Sequence, residues 1–334
     1  MKMKKCGLGT TAIHGGAVKN PYGSLAVPVF QTSTFIFDSA EQGGKRFALE
    51  EDGYIYSRLG NPTTSILEAR VAALEEGEAA VAMSSGMGAI SSTLWTVLKV
   101  GDHVITDTTL YGCTFALMNH GLTKFGVEVS FVDTSDLEAV KKAMKANTRV
   151  VYLETPANPN LKIVDLEAIA TLAHTNPNTL VIVDNTFATP FLQKPLTLGV
   201  DIVVHSATKY INGHGDVVAG LAVTNQELAN QIRLVGVKDM TGSVLGPQEA
   251  YYILRGLKTF EIRMERHCKN AEKVVEYLCR HEQVEKVYYP GLADHPGYEV
   301  AKKQMRAFGG MISFALKVGM EAGKTLLNNL KLCS

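Results

Sequence analysis

Two reactive side chains follow two short apolar runs near the middle of the sequence. Lys209 belongs to residues 206–209, which have the sequence SATK and follow the run 201–205. Asp184 ends an earlier run, residues 180–184. The carboxyl ends of parallel strands share one edge of a sheet, so we expect these side chains to lie close together. A lysine there can attack a carbonyl group, and an aspartate can pair with a protonated ring nitrogen.

Each of these residues also has an ordinary structural interpretation. Lys209 can be a solvated lysine after a strand, and Asp184 can be the N-cap of a following turn. However, a carboxylate after a buried strand is unfavourable unless a positive partner compensates for its burial. The pair therefore indicates a site more strongly than either residue alone, and a reactive lysine there should be reachable and partly desolvated.

Further groups at strand ends suit an anion and a planar ring. Residues 84–88 have the sequence SSGMG and open a helix, whose backbone N–H groups and dipole favour an anion. The hydroxyls of Ser206 and Thr208 are additional donors for a phosphate. Tyr111 can stack on a planar cofactor and can transfer a proton if its pKa is lowered. The structural alternatives are a plain Gly/Ser turn and an aromatic side chain packed at the rim.

Alternating strands and helices predict a mostly parallel sheet, buried on both faces, between residues 61 and 256. The predicted strands are 79–83, 103–107, 127–132, 149–154, 180–184 and 201–205. The predicted helices are 63–76, one beginning near 86, 114–124, 137–144 and 166–174. Residues 257–334 indicate a small α+β domain, with helices at 259–281 and near 299–305 and strands at 284–289 and 311–316. Residues 1–60 are expected to form an irregular arm that contacts the rest of the chain or a neighbouring subunit.

Composition excludes several classes of protein. Lys+Arg and Asp+Glu both number 33, so the formal net charge is zero, which argues against binding to nucleic acid or a membrane surface. The five cysteines are dispersed without a C-x-x-C pair, which favours a reducing cytoplasm over a disulfide framework or a zinc site. No G-x-G-x-x-G or H-E-x-x-H motif occurs, so neither a dinucleotide fingerprint nor a metal site is expected.

The combination of motifs resembles the Cys/Met-metabolism family of pyridoxal-phosphate enzymes. The motifs are YSR at 56–58, NPT at 61–63, SGM at 85–87, DNT at 184–186, SATKY at 206–210, YPGL at 289–292 and GGMISF at 309–314. The resemblance covers the whole chain and implies the fold type I architecture of pyridoxal-phosphate transferases. That architecture is a mostly parallel seven-stranded sheet between helices, with an N-terminal arm and a smaller α+β C-terminal domain.

The resemblance also implies roles for individual residues. Lys209 would hold pyridoxal 5'-phosphate as a Schiff base and shuttle protons, Asp184 would pair with the pyridine nitrogen, and Tyr111 would stack on the ring and protonate a departing thiol. The other cofactor-binding residues it implies are Gly86, Met87, Asn158, Ser206 and Thr208, joined by Tyr56 and Arg58 from a neighbouring subunit. Similar enzymes are homotetramers, built as dimers of dimers.

Two stretches resemble family members that act on methionine: YGCT at 111–114 and KDMTGS at 238–243. They imply α,γ-elimination of L-methionine to methanethiol, 2-oxobutanoate and ammonia, with homocysteine as a related substrate and with Cys113, Lys238 and Asp239 governing specificity. Cys113 can alternatively be an inert filler. The other interpretations are a cystathionine gamma-lyase or γ-replacing synthase, and a chain that binds cofactor or partner subunits without turnover.

Family members continue beyond the position of Ser334, with the arginine that binds the substrate carboxylate. The small domain of this sequence is therefore expected to be incomplete.

Overall fold

A seven-stranded sheet forms the centre of the large domain. A computed structural model describes residues 6–16, 20 and 22–332. The strands of this sheet are β1 (Ala79–Met83), β2 (His103–Asp107), β3 (Glu128–Val132), β4 (Thr148–Glu154), β5 (Leu180–Asp184), β6 (Ile202–Ser206) and β7 (Gly220–Thr224). Their order is β1-β7-β6-β5-β4-β2-β3. Only β7 runs antiparallel to its neighbours within this sheet.

Helices cover both faces of the sheet. The α-helices are α1 (Leu8–His14), α2 (Ala40–Phe47), α3 (Pro62–Glu75), α4 (Gly86–Val97), α5 (Gly112–Ala116), α6 (Leu137–Ala143), α7 (Leu166–Ala173), α8 (Thr189–Leu192), α9 (Gln226–Gln231), α10 (Pro247–Leu257), α11 (Phe260–Arg280), α12 (Tyr298–Gln304) and α13 (Met320–Asn329). Alternate residues of the central strands enter two separate apolar clusters: Val183 and Val203 on the face of α3, and Ile182 and Val204 on the face of α4. This alternation is what a sheet buried on both faces requires.

Two helices of the site begin at caps that the sequence provides. Ser85 accepts a hydrogen bond from the backbone N–H of Gly88 at 2.9 Å, and this fixes the first turn of α4. Asn61 does the same for α3 through Thr63, and Pro62 occupies the first helical position. The caps set where α3 and α4 start relative to the sheet.

The small domain contains β8 (Val284–Tyr288) and β9 (Ser313–Leu316), which pair antiparallel. Ala271 and Val275 of α11 pack with Tyr289 in a separate cluster beneath this pair. The four predicted elements of this domain are therefore present, with bounds that shift by one or two residues. Among the described residues, no helix is long and apolar enough to cross a membrane.

The six strands predicted in the large domain are confirmed to within one residue, and the fold class is confirmed. The resemblance implied a seventh strand, but the position of β7 was not predicted, and neither were the helices α8, α9 and α10. The helix predicted at 114–124 is divided into α5, a π-helical turn (Leu117–Gly121) and a 3₁₀ turn (Leu122–Phe125). A second π-helical segment, Ile232–Thr241, follows α9.

The expectation that residues 1–60 are irregular was wrong at α1 and α2, while residues 1–5, 17–19 and 21 lie outside the described residues. Helix α1 lies against α3 and α11, with Ala12 buried in the main core. Just after this helix, the carbonyl oxygen of Gly15 accepts a hydrogen bond from Nε of the buried Arg70 at 2.8 Å. The first part of the arm therefore belongs to the core of its own chain.

Candidate active site

A cavity of about 710 Å³ opens at the carboxyl ends of β4, β5 and β6. The sequence-predicted residues that line it are Gly86, Met87, Tyr111, Asn158, Asp184, Ser206, Thr208 and Lys209. Glu154, Thr186, Tyr210, His267 and Met311 contribute further side chains. The structure thus brings together eight predicted residues from five separate parts of the sequence, at the edge where ligands of parallel sheets bind.

The start of α4 forms a cradle against β6. A Cβ atom on Gly86 would lie 2.8 Å from Cβ of Ser206, so only glycine allows the helix to approach the strand this closely. Free N–H groups at a helix start favour an anion. The hydroxyl of Thr208 donates to the carbonyl of Ala219 at 3.2 Å and accepts from its N–H at 3.0 Å. Thr208 therefore also stabilises the loop that follows β6.

Lys209 lies in the turn that follows β6 and is exposed in the single chain. Its carbonyl accepts a hydrogen bond from the N–H of Gly213 at 2.8 Å, and its own N–H donates to the carbonyl of Ser206 at 3.2 Å. The backbone of this lysine is thus fixed while its amine can be reached from the cavity. The sequence predicted a partly desolvated lysine, but within the single chain the side chain of Lys209 is exposed.

Asp184 and Glu154 stand directly opposite each other at the ends of β5 and β4. Burial raises the pKa of Asp184, although hydrogen bonds from Thr186 and the nearby His205 act in the opposite direction. Burial and the charge of Asp184 raise the pKa of Glu154 to about 8. Since double ionisation of two adjacent carboxyl groups is unfavourable, this pair favours holding one proton and one negative charge between its two members.

Asp184 also accepts a hydrogen bond from the backbone N–H of Thr186 at 2.9 Å. It therefore makes the turn contact expected of an N-cap residue, and it also lines the cavity. The two interpretations of this residue are compatible.

Tyr111 lies at the mouth of the cavity, with 47% of its surface exposed. Its backbone N–H donates to both carboxyl oxygens of Glu154, at 3.1 and 2.9 Å. The thiol of Cys113 donates to the phenolic oxygen of Tyr111 at 3.5 Å. The hydrogen bond and the charge of Cys113 raise the pKa of Tyr111, so the lowered value considered from the sequence is absent in the single chain.

Tyr56 and Arg58 lie outside this cavity. They line a second pocket of about 580 Å³ together with Lys238 and several aromatic residues. The guanidinium of Arg58 stacks on the ring of Tyr56, 5.1 Å from its centroid. Lys238 forms an ion pair with Asp239 at 3.0 Å, and no hydrogen bond joins either residue to Cys113 within the described chain. A single chain therefore leaves these four residues apart from the predicted site.

Sequence reasoning missed Glu154, Thr186, Tyr210 and His267. Glu154 carries the signal that identified Asp184, because it is a carboxylate directly after the buried strand residues 150–153. Tyr210 and His267 come from different domains, and their rings lie 5.1 Å apart. Nothing in the local sequence of His267, in the middle of α11, points to a cavity.

Pyridoxal phosphate fits the residues of this cavity. The close approach at Gly86 presents the helix start to a phosphate, Asp184 offers a carboxylate to a ring nitrogen, and Lys209 offers an accessible amine to an aldehyde. The sheet and this site together define a fold type I pyridoxal-phosphate enzyme. The chain belongs to the Cys/Met metabolism PLP-dependent enzymes, whose family model matches residues 9–334.

Similar proteins narrow this class further. The chain is 81% identical to the L-methionine gamma-lyase of Fusobacterium nucleatum subsp. nucleatum, over all of this chain and 85% of that protein. It is 60% identical to the L-methionine gamma-lyase of Treponema denticola, over 99% of this chain and 82% of that protein. Among solved structures, metB from Corynebacterium glutamicum superposes with a TM-score of 0.93 at 45% identity, over 98% of this chain and 83% of that one.

Proposed function

We propose that the chain catalyses the α,γ-elimination of L-methionine to methanethiol, 2-oxobutanoate and ammonia, with pyridoxal 5'-phosphate as cofactor. The observation that carries the proposal is the convergence of Lys209, Asp184 and the start of α4 on one cavity, with Tyr111 and Cys113 at its mouth. The high identity to proteins named L-methionine gamma-lyase supports the same reaction. Homocysteine, which also carries sulfur on Cγ, is a second expected substrate.

The cofactor would be held by residues of four elements. Lys209 would bind its aldehyde, Asp184 its ring nitrogen, and the start of α4 with Ser206 its phosphate, with Met87, Thr208 and Asn158 alongside. When bound, the cofactor withdraws electrons from the substrate Cα. Asp184 suits its position because its carboxyl group, at the end of β5, lines the cavity and can offer the negative charge that a protonated nitrogen requires.

Lys209 and Tyr111 are the proposed proton carriers. The amine of Lys209, once displaced by the substrate, can accept the Cα proton, because its turn places it at the cavity edge. The raised pKa of Tyr111 keeps its phenol protonated at neutral pH, which suits a donor to the sulfur of the departing methanethiol. Proton transfers of this kind contribute about 10²–10⁴-fold each.

Cys113 is proposed to contact the substrate side chain. Its sulfur is exposed and lies 3.5 Å from the phenolic oxygen that would meet the leaving group. A side chain at this position changes the space around the substrate sulfur, so it can influence the choice between methionine and larger thioethers. Lys238 and Asp239 would act on Cys113 only from another subunit, since Lys238 lines the second pocket and forms an ion pair with Asp239.

We further propose a homotetramer built as a dimer of dimers, in which Tyr56 and Arg58 complete the neighbouring cavity. Arg58 supports this proposal, because a guanidinium matches phosphate oxygens but here lies away from the cavity of its own chain. A cytoplasmic location is proposed from the unpaired Cys6, Cys113 and Cys279, which are exposed thiols.

The test is a paired assay of the purified chain reconstituted with pyridoxal phosphate. Methanethiol release from L-methionine, faster than turnover of cystathionine, is the expected result. The opposite preference would assign a cystathionine lyase or synthase instead. Borohydride reduction before proteolysis distinguishes turnover from binding alone, since a cofactor adduct on Lys209 without product would identify a non-catalytic chain.

A further inference from the structure

A buried polar network lies beneath the cavity, on the other face of the sheet. Glu75, at the end of α3, and His205, on β6, both have fully buried side chains. Oε1 of Glu75 lies 2.6 Å from Nε2 of His205 and accepts a hydrogen bond from Nδ2 of Asn185 at 2.9 Å. Because side chains alternate along a strand, His205 points away from the face that Ser206 presents to α4. The network is therefore separated from the cavity by the sheet itself.

Three members of this network connect it to residues that line the cavity. Asn185 directly follows Asp184, and His205 directly precedes Ser206. The third connection is Gln193, whose Nε2 donates to the carbonyl of Thr155 and to Oδ1 of Asn185, both at 3.1 Å. Thr155 follows Glu154, so the network contacts the ends of β4, β5 and β6 together.

The network also reaches the small domain. Nε2 of Gln304, at the end of α12, donates to Oε1 of Gln193 at 2.9 Å and to the carbonyl of Val164 at 3.0 Å. A continuous path of hydrogen bonds thus joins α12 to three strand ends of the large domain. Such a path holds relative positions more tightly than apolar contacts do, since hydrogen bonds are directional.

This network is incompletely satisfied. Oε2 of Glu75 and Nδ1 of His205 have no hydrogen-bond partner in the described structure. A buried polar pair with unpaired atoms is a weak source of stability, and apolar residues of similar volume often serve as well. The position of this network at the strand ends indicates that it holds the strand ends at fixed distances from one another.

We propose that Glu75 is a positioning residue that, through His205 and Asn185, sets the spacing between Asp184 and Ser206. This spacing decides whether a ring nitrogen and a phosphate can be bound by the same cofactor molecule. The inference rests on the proposed use of pyridoxal phosphate, and neither Glu75 nor its network contacts the cofactor.

The experiment measures pyridoxal-phosphate binding to apoprotein, by fluorescence titration and by circular dichroism of the bound cofactor. Glu75→Gln keeps the shape of the side chain but makes one of its two carboxyl oxygens a nitrogen donor. We expect the Kd for the cofactor to rise about tenfold, the scale seen when a supporting residue of a binding site is removed. The circular dichroism band of the bound cofactor should change as well, because the ring would be held differently.

His103→Gln is the matched control. His103 is also a buried histidine of this sheet, but it lies at the other ends of the strands and bonds Thr148 and Ser130. It should lower the Tm of the apoprotein without changing the Kd for the cofactor. If Glu75→Gln behaves like this control, with only the Tm affected, Glu75 has a structural role and the proposal is overturned.

Two further measurements, on the wild type and on a second variant, separate the positioning role from the proposed function. If the wild-type apoprotein itself does not bind pyridoxal phosphate, the proposed function fails, whereas equal binding by wild type and Glu75→Gln rejects the positioning role alone. If Glu75→Gln does not fold, Asn185→Ser removes one connection to Glu75 and leaves the contact with His205 in place. The same rise in Kd is expected for it, and an unchanged Kd overturns the proposal.

Discussion

The two ends of the central strands satisfy their buried polar groups very differently. At the amino end of β2, both ring nitrogens of His103 lie 2.9 Å from hydroxyl oxygens of Thr148 and Ser130, and burial lowers the pKa of His103 so that it stays neutral. At the carboxyl ends, Glu154 and Asp184 face each other, and neither forms an ion pair within the described chain. The first end is a completed structure, and the second is a site that needs a positive ligand.

This difference shows that the amino ends of the strands serve stability, whereas their carboxyl ends serve function. Buried polar groups find their partners within the protein where they serve folding alone. They lack a charged partner where a ligand will supply one. Perturbed carboxyl groups in a cavity are the expected sign of such a site. Substitutions at the carboxyl ends should therefore reduce activity more than stability.

Lys209→Ala should have the largest effect. Because it removes the amine proposed to bind the cofactor and carry the Cα proton, we expect methanethiol release to fall about 10³-fold or more. The Tm of the apoprotein should stay within a few degrees, since Lys209 is exposed. A methanethiol assay and thermal unfolding measure the two quantities. A large loss of Tm would contradict the separate roles of the two ends of the sheet.

Asp184→Asn should come next. The amide cannot offer a negative charge to a ring nitrogen, so we expect kcat to fall about 10²-fold. The apoprotein should be as stable as the wild type or more stable, because a half-buried carboxylate opposite Glu154 disappears. Steady-state kinetics and unfolding of the apoprotein test this, and equal losses of activity and stability would contradict it.

Cys113→Gly should have a moderate effect, confined to specificity. Removal of the sulfur 3.5 Å from the phenolic oxygen of Tyr111 opens space for larger thioethers. We expect the ratio of kcat/KM for methionine to that for cystathionine to fall about tenfold, which is typical for one group of this size in a pocket. An unchanged ratio would support the interpretation of Cys113 as a filler.

Glu154→Gln should have the smallest effect, visible mainly in the dependence of apoprotein stability on pH. The folded pKa of about 8 lies above the ordinary value of 4.5, so the stability associated with protonated Glu154 is fully present below pH 4.5 and is lost as pH rises through 8. The variant lacks this loss, so its free energy of unfolding should rise relative to that of the wild type between pH 5 and 8.5, by a few kcal/mol at most. If the stabilities of the wild-type and Glu154→Gln apoproteins depend on pH in the same way, the raised pKa of Glu154 is contradicted.

The sequence was most informative where a strand is short, apolar and buried. The runs 103–107 and 180–184 coincide with strands because β-branched residues between turns leave few alternatives, and the side chains after them converge by topology. The strand β7 escaped prediction because Gly220 begins it and no helix precedes it. A Cβ there would lie 2.0 Å from the carbonyl oxygen of Ser85, so the glycine is required by α4.

The parts of the site that local patterns missed depend on contacts between distant segments. His267 lies in the middle of a long amphipathic helix, where a histidine has no visible signal for a cavity. Glu75 is likewise indistinguishable in sequence from the neighbouring glutamates, and only packing shows that it is buried against β6. Family resemblance supplied Asn158, Tyr56 and Arg58, of which only Asn158 lies in the cavity of its own chain.

The hydrogen bond between Arg70 and Gly15 has a consequence for shortened versions of the chain. The guanidinium of Arg70 is buried, and desolvation lowers its pKa, so it depends on the carbonyl that residues after α1 provide. A chain that began after Gly16 would leave this donor without its acceptor inside the protein. Trimming the amino terminus would thus weaken α3, the helix that ends in Glu75, before any contact with a neighbouring subunit was lost.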